Sequence, residues 1–332
     1  MNDVGPGPGA LRVAIVGAGA MGCLFGAHLA RAGVPVTLID IDPAEVEALR
    51  ARGVRLHRDD EVADVPVRAT TRAAEAGPAD LVLVFVKAHQ TRSVLPSLPA
   101  LLGPETRVLT LQNGLGAADV LARAVPAERL LVGVTAQGAT QLGPGEIRHG
   151  GRGETLLGPY RPGPDAFAAR VADAFTRAGL PARAVDDPRP AVWKKLAVNC
   201  AINPVTALTG IRNGPVAEWE PARELAAEAA REAWAVARAE GVDLGDPDEL
   251  ASFVLSVARA TAQNRSSMGQ DVDRGAATEI EFISGAVARR GEAHGVPTPV
   301  NRTLWRLIQT LELGYRTAAP SPEETDGQDH DP

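Results

Sequence analysis

Residues 193 to 204 read "WKKLAVNCAINP", an apolar stretch interrupted by two lysines and two asparagines. Lys195, Asn199 and Asn203 are each four residues apart, and on a helix such positions stack with about 40° of drift per step. One face is then an amine beside two amides, while Trp193, Leu196, Ala197, Val198, Ala201 and Ile202 give the rest the look of a buried helix. An unmatched buried amide costs roughly 1–3 kcal/mol. The polar face therefore needs partners, from a ligand or from the protein. An ammonium can polarise a carbonyl and release a proton to it; the same face could equally be a satisfied polar cluster between domains.

A second chemical candidate lies further on, in "NRSSMGQDVDRGAATEIEF". It reads as a non-helical island in which two serines precede a glycine-containing loop and Glu279 opens the next helix. Glu279 can simply favour a helix N-terminus. With Ile280, Phe282 and Ile283 beside it, it can also be a partly buried functional carboxylate.

These groups need elements to position them and a co-reactant to act with. "LRVAIVGAGAMGCLFGAHLARAGVPVTLIDID" begins with an apolar β-type run, Val13–Val16, followed by Gly17, Gly19 and Gly22 in a GxGxxG pattern. A helical pattern over 21–32 and a second strand in "VPVTLID" come next, with Gly33 between them. In that strand–turn–helix context Gly17 permits the tight turn, Gly19 lets a pyrophosphate approach the backbone, and Gly22 lets helix and strand pack closely. Ala20 and Met21 stand where a helix start offers N–H groups and partial positive charge to phosphates. Asp40 follows the third glycine by 18 residues and is placed to accept hydrogen bonds from an adenosine ribose diol. A 2′-phosphate there would be repelled, so NADH is favoured, with NADPH the alternative. The competing reading of Asp40 is a solvated turn acid; Asp42 reads as a helix N-cap ahead of Pro43.

Further α/β units follow. The apolar run 81–86 reads as a strand buried on both faces of a parallel sheet. Lys87 sits at its carboxyl end, where ligands bind in such sheets, although an ordinary strand-end lysine fits equally. "RVLTLQNGLG" is another strand that ends in Asn113, a residue able to reach nicotinamide or substrate, or to serve only as a turn residue. From Trp193 to about Tyr315 the pattern is mostly helical. The expected organisation is a flexible leader over 1–10, a dinucleotide-binding α/β Rossmann domain over 11–188, an all-α domain over 189–318, and a disordered acidic tail over 319–332.

Composition narrows the function classes. The 332 residues suffice for about two domains. Net charge is −7, with no Lys/Arg block or basic helix interleaved with aromatics, so nucleic acid is not an expected partner. The two cysteines, Cys23 and Cys200, lie far apart in sequence without a CxxC or Cys/His cluster, which points to a reducing, cytoplasmic setting and no structural metal. Neither a secretory signal nor a membrane span is expected.

Taken together, "GAGAMG", "VKAHQT", "LQNGLG", "WKKLAVNCAINPVTAL" with the later "RNG", and "SSMGQD" followed by "TEIEF" resemble the ketopantoate (2-dehydropantoate 2-) reductase family from about Val13 to Tyr315. The resemblance implies a Rossmann domain, a second domain of the 6-phosphogluconate dehydrogenase C-terminal type, and a substrate cleft between them. It implies reduction of a small 2-oxo acid, ketopantoate, by NAD(P)H, serving pantothenate and coenzyme A synthesis. Lys195 and Glu279 fall on the family's catalytic lysine and glutamate. Asn113, Asn199, Asn203 and Ser267 fall on substrate-site positions, and Asn213 on a nearby polar one. Well-known members use NADPH and carry an arginine near the end of the second strand, where this chain has "LIDID". Lys87 matches a lysine associated with the 2′-phosphate, so the two signals pull apart, and Asp40 is given the greater weight. The resemblance also admits a homodimer. Competing readings are a reductase of another 2-oxo acid, a non-catalytic dinucleotide sensor, and an opine-type condensing enzyme.

Overall fold

A computed structural model of the chain describes residues 11–318. The expected leader over 1–10 and tail over 319–332 lie outside the described residues. Two compact units meet in sequence between Val192 and Trp193.

The first unit contains the strands β1 (Val13–Val16), β2 (Val36–Ile39), β3 (Val54–Arg58), β4 (Glu61–Val65), β5 (Arg68–Thr70), β6 (Ala79–Val84), β7 (Leu102–Thr110), β8 (Leu130–Thr135), β9 (Ala139–Gly143), β10 (Glu146–His149), β11 (Thr155–Pro159) and β12 (Ala182–Ala184). Among the described residues, eight of them form one sheet in the order β12-β11-β8-β7-β6-β1-β2-β5. From β5 across to β8 every neighbouring pair is parallel, which is the doubly wound Rossmann order with β1 at its centre. β11 departs from it by pairing antiparallel with β8. The run expected as a strand over 81–86 pairs only as far as Val84, and Phe85 and Val86 begin the turn out of the sheet.

The sequence pattern also left unread a second sheet, of four strands in the order β4-β3-β10-β9. Its strands carry charged and exposed residues, as in β4, where only Val65 is buried, so the alternation that marks a half-buried strand is faint.

The Ala20–Arg31 helix buries Cys23, Leu24, Phe25, Ala27 and Leu29 against both the main sheet and the four-stranded sheet. Phe25 sits 4.9 Å from the ring of Phe85 and 5.1 Å, edge-on, from that of Phe175 on the Ala166–Arg177 helix. These contacts fix the helix whose first turn follows the glycine loop.

The second unit is helical: most of Arg189–Thr209, then Gly214–Glu218, Glu220–Ala239, Pro247–Ala260, Ser267–Asp273, Ser284–His294 and Pro299–Ala318. Glu220–Ala239 buries Ala226, Ala227, Ala229, Ala230, Ala233 and Ala237, small side chains that let neighbouring helices approach. Its Glu232 accepts 2.8 Å bonds from the Val300 and Asn301 amides and so caps the last helix from outside. Among the described residues, no helix is long and apolar enough to cross a membrane.

Ser267–Asp273 corrects the reading of residues 264–282 as a non-helical island. Ser266 is the N-cap, its hydroxyl accepting from the Gly269 amide at 3.0 Å, and buried Met268 anchors the turn. Seven residues are too few to display a helical period against the glycines and charges around them.

Candidate active site

The three glycines of the loop have different surroundings. Gly17 has φ +99°, and a Cβ on it would meet the Val86 nitrogen at 2.6 Å, so the turn after β1 passes directly against the end of β6. A Cβ on Gly22 would stand 1.9 Å from the Gly17 carbonyl oxygen. Around Gly19 the nearest atom to a Cβ would be Gln141 Oε1, 3.9 Å away, so the middle glycine faces open space. A phosphate group fits there: the backbone is bare, and Ala20 and Met21 begin the helix beside it.

Asp40 follows β2 directly and is partly exposed. Its Oδ2 accepts a 2.7 Å bond from the Ala18 amide and its Oδ1 a 3.0 Å bond from the Asp42 amide. Each oxygen keeps further acceptor capacity beyond that bond. The carboxylate thus braces the glycine loop as well as facing solvent, a role that spacing alone did not suggest. Asp42 caps the following helix by accepting from the Ala44 amide at 2.9 Å. Among the exposed arginines on the neighbouring elements, Arg72 pairs with Glu75 at 2.7 Å and Arg50 with the same carboxylate at 3.6 Å.

Lys87 and Asn113 each stand three residues beyond a central strand, β6 and β7, and both are partly buried. The residue that ties their loops together is Gln112, which the sequence reading passed over. Its Nε2 donates to the Val86 carbonyl at 2.6 Å and to Thr91 Oγ1 at 2.9 Å, while its Oε1 accepts from Thr110 at 2.8 Å. The signal was present: a long amide beside Asn113, at the ligand-binding edge of a parallel sheet. The structure therefore brings Gly17, Gly19, Ala20, Met21, Gly22, Asp40, Lys87 and Asn113 to one end of the main sheet.

In the second unit the Arg189–Thr209 helix buries Trp193, Leu196, Ala197, Cys200, Ala201 and Ile202, leaving Lys195 and Asn199 partly buried and Asn203 buried. Lys194, one position before Lys195, is exposed and lies over the Phe253 ring at 4.0 Å. Burial pushes the Lys195 pKa down to about 8, against the smaller opposing pull of the Glu279 carboxylate. Glu279 is only 6% exposed and precedes a short 3₁₀ turn, Ile280–Phe282, rather than opening an α-helix. Thr278 holds it in place: its amide and hydroxyl both bond Glu312 Oε1, at 2.8 and 2.6 Å.

Ser266 and Ser267 have different surroundings. Ser266 is buried, with its hydroxyl 2.6 Å from that of Thr206, whereas Ser267 is exposed on the first turn of its helix. Arg265 adds to the join, donating to the Thr206 and Ile211 carbonyls at 2.5 and 3.1 Å while pairing with Asp273 at 2.7 Å. Thr206, three residues beyond Asn203, falls on the same helix face as Lys195, Asn199 and Asn203, a relation visible in the sequence but not followed that far. Asn213 donates to Thr261 Oγ1 at 2.9 Å; its Oδ1 is buried without a hydrogen-bond partner among the described residues.

Comparison with known families decides what these two units are. Residues 13–162 match the family described as ketopantoate reductase PanE/ApbA, and residues 187–312 match its C-terminal domain. The chain belongs to the ketopantoate reductase family. A 2-dehydropantoate 2-reductase of Halobacterium salinarum is 40% identical over 304 residues, covering 91% of this chain and 99% of that protein. One of Vibrio cholerae is 36% identical over 313 residues, covering 93% of this chain and all of its own length. Among solved structures, a ketopantoate reductase of this family from Ralstonia eutropha superposes with TM-score 0.84 at 37% identity, over 92% of this chain and 100% of its own. D-mandelate dehydrogenase, solved with NADH and anilino(oxo)acetate, superposes with TM-score 0.87 at 28% identity, over 92% of this chain and 99% of its own.

Proposed function

We propose that the chain is a 2-dehydropantoate 2-reductase that converts ketopantoate to pantoate with NADH as the preferred reductant. The observation that carries this reading is the face of the Arg189–Thr209 helix: Lys195, its pKa lowered to about 8 by burial, within electrostatic reach of buried Glu279. The dinucleotide supplies hydride to the ketone carbon. Lys195 meets the negative charge that develops on the ketone oxygen and gives it a proton. Its lowered pKa makes that transfer easier near neutral pH while leaving much of the lysine protonated.

Asn199 and Asn203 share the lysine face and bind the substrate's polar ends without adding charge. Ser267 binds the substrate carboxylate or hydroxyl, and Glu279 holds the substrate hydroxyl or the lysine. Gly17, Gly19, Ala20, Met21 and Gly22 receive the pyrophosphate, Asp40 the ribose diol, Lys87 the adenosine side of the dinucleotide, and Asn113 the nicotinamide or the substrate. The preference for NADH rests on Asp40, whose carboxylate stands at the end of β2. A cytoplasmic homodimer belongs to the same reading, and sedimentation of the purified chain tests the assembly.

A second reading, reduction of another 2-oxo acid, is favoured by the likeness to D-mandelate dehydrogenase. Loss of dihydronicotinamide absorbance, followed with ketopantoate and a panel of aromatic and aliphatic 2-oxo acids, separates the two. Ketopantoate should lead in kcat/KM by orders of magnitude; an aromatic 2-oxo acid in first place would overturn the assignment.

A further inference from the structure

The four-stranded sheet is separate from the eight-stranded one but packs on the same Ala20–Arg31 helix, and one of its edge strands reaches the glycine loop. β9 carries Gln141, whose carboxamide is the nearest group to a Cβ placed on Gly19. The open space over the middle glycine is therefore bounded by an amide from a different sheet. On its other side that amide lies 2.9 Å from Glu45 Oε2. Glu45, on the Pro43–Arg52 helix, is 4% exposed, and its Oε1 accepts from the Gly145 amide in the β9–β10 turn at 2.9 Å. The Cys23 thiol closes the circuit, 3.7 Å from Glu45 Oε1 and 2.9 Å from the Ala18 carbonyl. One buried carboxyl group thus links the β9–β10 hairpin, the helix after β2 and the glycine loop.

Resting on the dinucleotide reading above, we propose that Gln141 binds the pyrophosphate of the dinucleotide and that Glu45 is the residue that positions it. The two ends of a carboxamide are nearly the same size, so a half-turn about its last bond exchanges donor for acceptor with little change in packing. Turned that way, Gln141 presents an N–H to a phosphate oxygen over Gly19 and its carbonyl oxygen to Glu45. That exchange puts a proton on Glu45 Oε2; burial pushes the Glu45 pKa up, while the bonds from the Gly145 amide and the Cys23 thiol pull it down. A carboxamide suits this place because it adds a donor without a charge that would hold the product dinucleotide too tightly.

The test is direct binding of NADH to the full-length chain, by quenching of protein fluorescence, beside steady-state kinetics with ketopantoate. Gln141→Ala removes a hydrogen bond to a charged acceptor, so the NADH Kd should rise about tenfold, with kcat and the ketopantoate KM near wild type. Gln141→Glu places a carboxylate opposite the phosphates and should weaken binding further. Glu45→Ala should raise the NADH Kd as Gln141→Ala does, and Glu45→Gln, which can still donate to the Gln141 carbonyl, should restore most of it. Wild-type NADH affinity in both Gln141 variants, with turnover intact, would overturn the proposal and leave the reductase standing. A wild-type chain that binds neither NADH nor NADPH would overturn the dinucleotide reading and this proposal with it.

Discussion

The hydroxyl groups of Thr206 and Ser266 lie 2.6 Å apart in a buried setting, joining the far end of the lysine helix to the cap of the helix that carries Ser267. The contact sets where Ser267 stands relative to the Lys195–Asn203 face without either hydroxyl needing to touch substrate. Thr206→Val keeps the shape and removes the bond, so denaturant unfolding should show a loss of about 1–2 kcal/mol. The ketopantoate KM should rise while the NADH KM stays put. An unchanged ketopantoate KM would mean that the join is structural only.

The glycine loop offers a comparison between two substitutions of the same chemistry. Gly22→Ala puts a methyl 1.9 Å from the Gly17 carbonyl, which the strand and helix can relieve only by moving apart, so the melting temperature should fall sharply. Gly19→Ala meets nothing nearer than 3.9 Å, and its melting temperature should match wild type. Its NADH affinity should nonetheless collapse, because the methyl occupies the approach of the pyrophosphate. Calorimetric melting and NADH titration of the two variants check the pair.

Asp40 joins two functions in one carboxylate. Asp40→Ala removes both the bond to the Ala18 amide and the acceptor offered to the ribose, so NADH binding should weaken by about tenfold or more. NADPH loses the same loop brace but also escapes the repulsion between carboxylate and 2′-phosphate. The ratio of kcat/KM for NADH over NADPH should therefore fall, and a ratio unmoved by the substitution would remove Asp40 from cofactor choice.

What the sequence disclosed and what it hid follow from the range of the interactions. Gly17, Gly19, Gly22 and Asp40 are set by local backbone geometry within one βαβ unit, and their roles can be read from spacing. The Lys195 row is likewise a local fact of helical period. Ser266 and Ser267 are neighbours of one type, and only the cap geometry tells the buried one, which bonds Thr206, from the exposed one. Gln112 and Gln141 act across 21 and 96 residues of chain, on Thr91 and Glu45 respectively, and no local pattern marks such partners. The four-stranded sheet escaped notice for a related reason: its strands pair across the segment from Arg55 to Glu146, and their exposed faces blur the alternation.

Lys195 supplies the most demanding prediction, because the proposed chemistry fixes both a magnitude and a sign. Lys195→Ala should cut kcat by about a hundredfold or more, the usual range for losing a positioned acid, with NADH affinity near wild type. For the wild-type enzyme, reduction needs the ammonium form, so kcat/KM for ketopantoate should be flat below a pH of about 8 and fall as pH rises through it. Oxidation of pantoate needs the neutral amine and should rise through the same pH. The linkage to folding also runs upward with pH. Because burial lowers the pKa from 10.5 to about 8, the unfolded chain holds a proton that the native lysine has released between those values. This site's contribution to stability is therefore least favourable below about 8 and improves as pH climbs toward 10.5. Glu279→Gln removes the carboxylate that favours the ammonium, so the break in the reduction profile should move to lower pH. A break that stays in place would separate Glu279 from the proton that Lys195 transfers.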